Sequence, residues 1–282
     1  MSIRGEPMAK LIIITDMDGT LLDTASYSFD AALPALGLIR ARNVPLIICS
    51  SKTRAEIEHY RQKLGNTHPF ISENGGAVFV PKGYFRDEIR PPVYAAAEED
   101  TGYTVIRLGA RYEDLRRALS ELQDEGFGVW GFGDMTAEEI AATTGLPENE
   151  AGMAARREFD EPFIFDGDNA MQQKLVRAIT EKGFHVTRGQ FYHILGPSDK
   201  GKAVSILIEM YRKEFGQVRT MGLGDSPNDL PMLRCVDEPV VVEKNGGGYD
   251  PCFHGESFKR ANGVGPGGWN RAVIELLEGY GR

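Results

Sequence analysis

The chain has 282 residues, of which 41% are apolar and 26% charged, and its 32 Lys+Arg against 41 Asp+Glu give a net charge of −9. At ~100–200 residues per domain, that length points to two domains or to one carrying a large insertion, and the composition excludes collagen-like, coiled-coil and disordered classes. The acidic excess argues against nucleic acid or an anionic membrane as partner. Cys49, Cys235 and Cys252 are odd in number and far apart, fitting neither a disulfide framework nor a paired zinc motif, so they are expected as reduced thiols in the cytoplasm. The first apolar run, Leu11 to Ile14, is shorter than the ~7–15 residues of a signal-peptide core or the ~20 of a membrane span, so an unexported protein is expected.

Ala9 to Thr15 is short, β-branched and apolar on consecutive positions, which predicts a strand buried on both faces of a parallel sheet. Ala31 to Arg42 has helical spacing, Val44 to Cys49 reads as a second buried strand, and Thr53 to Leu64 as a helix with Ile57, Tyr60 and Leu64 on one face. Pro69 to Ser72 and Ala77 to Val80 flank Asn74-Gly-Gly76, a hairpin signature. This β-α-β-α-β order predicts a doubly wound, Rossmann-like α/β core with its ligands at the carboxyl ends of the strands.

After about Gly83 the pattern changes. Strands are predicted at Tyr103 to Leu108, Phe127 to Phe132 and Pro162 to Phe165, with helices at Tyr112 to Asp124, Thr136 to Thr144, Glu148 to Phe159 and Ala170 to Lys182. A hairpin turning at Gly189 is predicted within His185 to Leu195. The mixture predicts an α+β unit over 84–192, inserted into a core made of 1–83 and 193–282. From Gly201 the α/β pattern resumes, with a helix to Phe215, strands at Val218 to Leu223 and Pro239 to Val242, a short helix at Leu230 to Cys235, and a closing helix at Arg271 to Leu277. The Gly-rich stretch Lys244 to Asn270 is expected to be mostly loop.

Three of the predicted parallel strands end in polar residues that no core needs: Asp16 and Asp18, Ser50 and Ser51, and Asp225 with Asn228 and Asp229. Two carboxylates a few ångströms apart after a buried strand repel unless a cation lies between them. A hard ion such as Mg2+ takes one or two carboxylates, and Asp225 can supply a further one, which favours phosphoryl transfer. Taken alone, Ser50 reads as a helix N-cap and Lys200 as a surface lysine. Ser50 is raised by its place after a buried strand, and Lys200 by having Asp225 or Asp229 as a natural partner.

Asp16-Met-Asp-Gly-Thr-Leu-Leu22 resembles the signature of the haloacid dehalogenase superfamily, and Gly224-Asp-Ser-Pro-Asn-Asp229 resembles its acidic fourth motif. Ser50 matches its second motif and Lys200 its third, in order. The long insertion between the second and third motifs resembles the α+β cap of the Cof-like branch. More narrowly, Cys49-Ser-Ser-Lys-Thr-Arg-Ala-Glu56, Arg157-Glu-Phe-Asp-Glu-Pro162, Phe191-Tyr-His193, Asp199-Lys-Gly-Lys202 and Gly268-Trp-Asn270 are similar to the mannosyl-3-phosphoglycerate phosphatase family. The resemblance implies a Mg2+-dependent phosphatase of a phosphorylated sugar derivative, with mannosyl-3-phosphoglycerate the first choice. Other sugar phosphates and a phosphohexomutase are the alternatives.

In this reading Asp16 is the nucleophile, giving an aspartyl-phosphate, and Asp18 the general acid and base. Ser50 and Lys200 stabilise the transferring phosphoryl oxygens. By resemblance, Mg2+ is held by the Asp16 carboxylate, the Asp18 backbone carbonyl and Asp225, with Asn228 and Asp229 orienting the lysine and the metal's waters. Specificity is expected from the cap, where Arg157, Asp160 and Glu161 bind substrate, with Ser51, Lys52, Glu73 and Asn74 reaching from the core. A solvated helix end with internal salt bridges is the competing reading of the Arg157 cluster. His59, His68 and His193 lack metal spacing and are expected to be structural.

Overall fold

A computed structural model describes residues 9–86, 92 and 95–280. The elements run β1 (Lys10–Thr15), α1 (Leu33–Ala41), β2 (Leu46–Cys49), α2 (Arg54–Leu64), β3 (Phe70–Ser72), β4 (Ala77–Pro81), β5 (Ala96–Glu99) and β6 (Tyr103–Arg107). The inserted unit adds α3 (Tyr112–Asp124), β7 (Gly128–Gly131), α4 (Ala137–Thr144), α5 (Glu148–Ala154), β8 (Asp160–Asp166), α6 (Asn169–Glu181), β9 (His185–Arg188) and β10 (Tyr192–Leu195). The chain then closes with α7 (Lys200–Phe215), β11 (Val218–Gly224), α8 (Leu230–Leu233), β12 (Glu238–Glu243), β13 (Lys259–Val264) and α9 (Gly265–Gly279).

Among the described residues the large sheet has the order β13-β12-β11-β1-β2-β3-β4-β6-β5. It is parallel from β13 to β3 and antiparallel beyond. β1 lies between β11 and β2, so the ends of these three strands meet at one edge of the sheet. Alternation along β1 divides the core. Leu11 and Ile13 join Trp269 and the residues of α1, α2 and α9 on one face, whereas Ile12 and Ile14 pack with α7 and α8 on the other. Thr53 starts α2 with a reciprocal capping box to Glu56, and Gly65 ends it in the left-handed conformation at φ 60°.

The inserted unit has its own four-stranded antiparallel sheet, β7-β8-β10-β9, with α3 and α6 packed on one face through Leu115, Leu119, Phe163, Leu175 and Ile179. The sheets divide the chain differently from the 84–192 insertion expected above. β5 and β6 extend the edge of the large sheet by pairing onto β4, and Tyr192–Leu195 belongs to the small sheet. The change in pattern after Gly83 falls within the antiparallel edge that begins at β4, and the chain leaves the large sheet only after β6.

Other expectations shift for local reasons. The helix expected over Glu148 to Phe159 stops at Ala154, and β8 starts at Asp160, where the chain crosses back against the core. The Gly-rich stretch expected as loop contains β13, and α9 begins at Gly265 rather than Arg271. Its glycines answer a close approach: a Cβ on Gly268 would overlap the Gly263 carbonyl. Trp269 is fully buried there and donates from Nε1 to Thr15 Oγ1 at 2.9 Å. No helix among the described residues is long and apolar enough to cross a membrane.

Candidate active site

Asp16 follows β1, Ser50 follows β2, Asp225 follows β11 and Lys200 opens α7, so four separated segments converge at the carboxyl edge of the sheet. Lys200 is buried, and its Nζ stands 2.6 Å from both Asp16 Oδ1 and Asp229 Oδ1. Carboxylate oxygens of Asp16, Asp225 and Asp229 all lie within 4.8 Å of one another. Asp229 is fully committed, because its Oδ2 accepts the backbone N–H groups of Asp225 and Ser226 at 3.0 Å each. Asp225 accepts from Thr20 Oγ1 at 3.1 Å and from Ser226 Oγ at 3.0 Å. Gly19, at φ 77°, leaves the room this requires, since a Cβ there would lie 2.9 Å from Asp225 Oδ2.

Three carboxylates against one ammonium leave an excess of negative charge out of water. Burial, reinforced by the Asp229 charge and only partly offset by Lys200, holds the Asp16 carboxyl well above the usual carboxylate range. Burial and Asp229 push Asp225 up to about 7. Burial alone would lower Lys200, but Asp16 and Asp229 outweigh it and hold the ammonium charged. The residues fit a hard divalent cation: oxygen donors only, with Asp16 Oδ2 bonded to no protein group among the described residues and Asp225 holding spare lone pairs. Asp229 is the member that the lysine and the loop backbone occupy.

Asp18 sits at the mouth, its Oδ1 3.1 Å from Lys52 Nζ. Lys52 is buried, 3.2 Å from Glu56 Oε1 and flanked by the Tyr27 and Tyr60 rings. Burial disfavours its charge, but Asp18 and Glu56 raise its pKa overall. Ser50 is fully buried, and its Oγ accepts the Lys52 N–H at 3.2 Å. It does not line the cavity, whereas Ser51 and Lys52 do.

That cavity, about 350 Å3, lies between the core and the inserted unit, with Asp16, Asp18 and Asp225 on the core side and Arg157 and His193 opposite. Arg157 donates from Nη1 to Ser51 O at 2.7 Å and to Asp160 Oδ1 at 2.8 Å, and from Nε to Ala154 O at 2.9 Å. Its Nη2 has no hydrogen-bond partner among the described residues.

The remaining expected substrate ligands do not line the cavity. The Glu73 carboxylate accepts the backbone N–H groups of Glu158, Phe159 and Asp160, tying the core loop to the start of β8. Asn74 donates to Asp160 Oδ2 at 2.8 Å and accepts from Asn228 Nδ2 at 3.0 Å. Glu161 points into the inserted unit, where Arg116, Tyr112 and the Gly133 N–H bind it. Alternation along β8 explains the split: Asp160 and Glu161 are neighbours and face opposite sides of the strand.

Residues 13–90 match the model of the haloacid dehalogenase-like hydrolases. The chain is 46% identical over 270 residues to a glucosyl-3-phosphoglycerate/mannosyl-3-phosphoglycerate phosphatase of Methanococcoides burtonii, covering 95% of this chain and 97% of that one. It belongs to the haloacid dehalogenase-like phosphatases. A mannosyl-3-phosphoglycerate phosphatase of Pyrococcus horikoshii is 40% identical to this phosphatase over 232 residues, 82% of this chain and 90% of the relative. In three dimensions the phosphatase is similar to a haloalkanoate-superfamily phosphatase from Bacteroides thetaiotaomicron, with a TM-score of 0.66 at 18% identity over 99% of this chain and 98% of that one.

Sequence reasoning missed the site roles of three residues of the phosphatase: Thr20 and Glu56, to which it assigned none, and His193, which it read as structural. Thr20 is part of the Asp-Gly-Thr signature and steadies Asp225. The capping box Thr53–Glu56 signals only a helix start, yet its carboxylate also anchors Lys52. His193, expected to be structural, lines the cavity.

Proposed function

We propose that this sugar phosphatase is Mg2+-dependent and hydrolyses mannosyl-3-phosphoglycerate to mannosylglycerate and phosphate through an aspartyl-phosphate, in the cytoplasm. The observation that carries the reading is Asp16, pinned by Lys200 through one carboxylate oxygen with the other bonded to no protein group among the described residues, in a cavity that Arg157 also lines. A carboxylate oxygen of Asp16 attacks phosphorus, the bond to the glycerate oxygen breaks, and Asp18 gives that oxygen its proton. Asp18 then takes a proton from water, which attacks phosphorus, breaks the bond to Asp16 and restores its carboxylate.

Lys200 stabilises the charge on the equatorial phosphoryl oxygens, whereas Ser50, expected to share that task, is buried behind the cavity wall and steadies the loop of Ser51 and Lys52 by accepting the Lys52 N–H. Mg2+, held by the Asp16 and Asp225 carboxylates and the Asp18 carbonyl, supplies neutralisation of the phosphate's charge when bound. Asn228 and Asp229 hold this arrangement in place, the latter through Lys200. Ser51 and Lys52 line the core side of the substrate cavity, and the inserted unit acts as its specificity cap. The free Nη2 of Arg157 suits the glycerate carboxylate, while Glu73, Asn74, Asp160 and Glu161 serve substrate binding by fixing Arg157 and the cap frame. The relative's double name makes glucosyl-3-phosphoglycerate the second candidate.

Phosphate release from a panel of mannosyl-3-phosphoglycerate, glucosyl-3-phosphoglycerate, sucrose phosphate and an aryl phosphate tests the reading. The glycosyl phosphoglycerates should lead in kcat/KM, and a preference for substrates lacking the carboxylate rejects it. Asp16→Asn should abolish turnover with the fold intact.

A further inference from the structure

We infer that His193 reads a hydroxyl of the substrate's sugar, an assignment that rests on the glycosyl-phosphoglycerate reading above. His193 stands on β10, opposite Pro162 of β8 and Thr187 of β9. It is 4% exposed, and what it exposes borders the cavity. Its Nδ1 lies 3.0 Å from Asp160 Oδ2. Asp160 also receives Asn74 Nδ2 at 2.8 Å and Arg157 Nη1 at 2.8 Å, so the carboxylate is an acceptor on every side and the hydrogen of that bond belongs to Nδ1. The ring is thereby fixed in both orientation and hydrogen placement.

Nε2 has no protein partner among the described residues, and the surrounding cap wall is largely apolar, with Phe132, Leu146, Pro162 and Phe191. A locked imidazole presenting one free nitrogen from an apolar wall is a group placed to meet a ligand. The ligand chemistry follows from the two protonation states. Neutral Nε2 accepts from a hydroxyl and protonated Nε2 donates to the same hydroxyl, whereas a carboxylate or phosphate is served by the cation alone. The phosphate site lies across the cavity at Asp16, and Arg157 provides the cationic donor on the cap, which leaves the sugar as the part of the substrate for His193.

Two near-isosteres separate this role from a purely structural one. His193→Asn keeps a donor at the Nδ1 position toward Asp160 and removes the Nε2 group; His193→Gln places its amide nitrogen near Nε2 and loses the Nδ1 donor. The readout is the ratio of kcat/KM for mannosyl-3-phosphoglycerate to that for 3-phosphoglycerate, with KM and kcat resolved for each. Loss of one hydrogen bond to a neutral hydroxyl should lower this ratio about tenfold in His193→Asn through a raised KM for the glycosyl substrate, with substantial recovery in His193→Gln. Recovery in Asn and not in Gln overturns the assignment in favour of a bond that merely steadies Asp160. An equal loss on both substrates places the contact on the glycerate and overturns it too. A wild-type enzyme inactive on both glycosyl phosphoglycerates overturns the underlying reading and this assignment with it, whereas an active wild type with an unmoved ratio in His193→Asn overturns this assignment alone.

Discussion

Glu73 gives the sharpest test of the link between core and cap. Its fully buried carboxyl accepts three backbone N–H groups on Oε2, from Glu158 at 3.0 Å, Phe159 at 2.7 Å and Asp160 at 2.9 Å, and the Glu158 N–H is shared with Oε1 at 3.1 Å. Burial, with the Asp160 charge beside it, pushes this carboxyl up to about 8, and Arg157 and the backbone donors reverse that only in part. Asp160 moves the other way: burial raises it, but His193 and Arg157 outweigh burial and hold it low. Glu73 is thus the later of the two to ionise as pH rises, and its neutral acid is the form that burial favours.

Glu73→Gln imitates that neutral acid, with one oxygen for the three donors and an amide nitrogen in place of the hydroxyl. It should stay within about 1 kcal/mol of wild type at pH 6. Glu73→Ala leaves two buried N–H groups and one half-buried one without a partner, and at ~1–3 kcal/mol each the two buried ones alone amount to about 2–6 kcal/mol. The sign with pH follows: the unfolded carboxyl ionises near 4.5 and the folded one near 8, so stability from this group is complete below the lower value and lost as pH rises through the upper. Urea unfolding at pH 5 and 8.5 reads both effects. Wild type should lose ground to Glu73→Gln as pH rises. A Gln variant as unstable as Ala at pH 6, or a difference from wild type that does not move with pH, would refute the reasoning.

Lys200→Met leaves Asp16 and Asp229 facing each other without their shared cation; kcat should fall by about 10²–10³, and thermal unfolding should show a loss of about 3–5 kcal/mol. Chelation of divalent ions should abolish phosphate release and lower Tm, with Mg2+ restoring both; full turnover in the chelated enzyme would reject the Asp16–Asp225 site. Gly75→Ala places a Cβ on the Asp199 carbonyl at a backbone φ of 89°, displacing the start of α7, and should cost about 2–4 kcal/mol in chemical denaturation. Burial, then Arg61 and Lys10, lowers His68 to about 4, so its contribution to stability is present above pH 6.5 and lost as pH falls toward 4. His68→Gln should flatten the wild-type decline in Tm over that interval.

The catalytic end of the molecule was legible because buried parallel strands that end in carboxylates need a cation to hold those charges together: Asp16, Asp225 and Lys200 all converge as their positions implied. The cap ligands were not. Asp160 and Glu161 look equivalent in a run of charges, and only the facing of β8 sends one to Arg157 and Asn74 and the other to Arg116 and Tyr112 of the inserted unit. β13, with Lys259, Arg260 and Asn262 in its six residues, carries almost no apolar signal, since its pairing to β12 is imposed from outside. The start of α9 runs against helix propensity through Gly265, Gly267 and Gly268, a choice made by the backbone packed against it.

The two crossings of the chain between the sheets touch: a Cβ on Gly196 would collide with the backbone of Ala110. The excursion therefore leaves and re-enters the core at nearly one point, and the parallel strands that carry Asp16, Ser50 and Asp225 are threaded without passing through it. Such an arrangement makes the insertion a cassette. A lineage can exchange or remodel it by recombination across a single doorway, acquiring a new leaving group for the same phosphoryl machinery. Within this chain, the Glu73 latch onto the start of β8 marks where a transplanted module would have to be refitted.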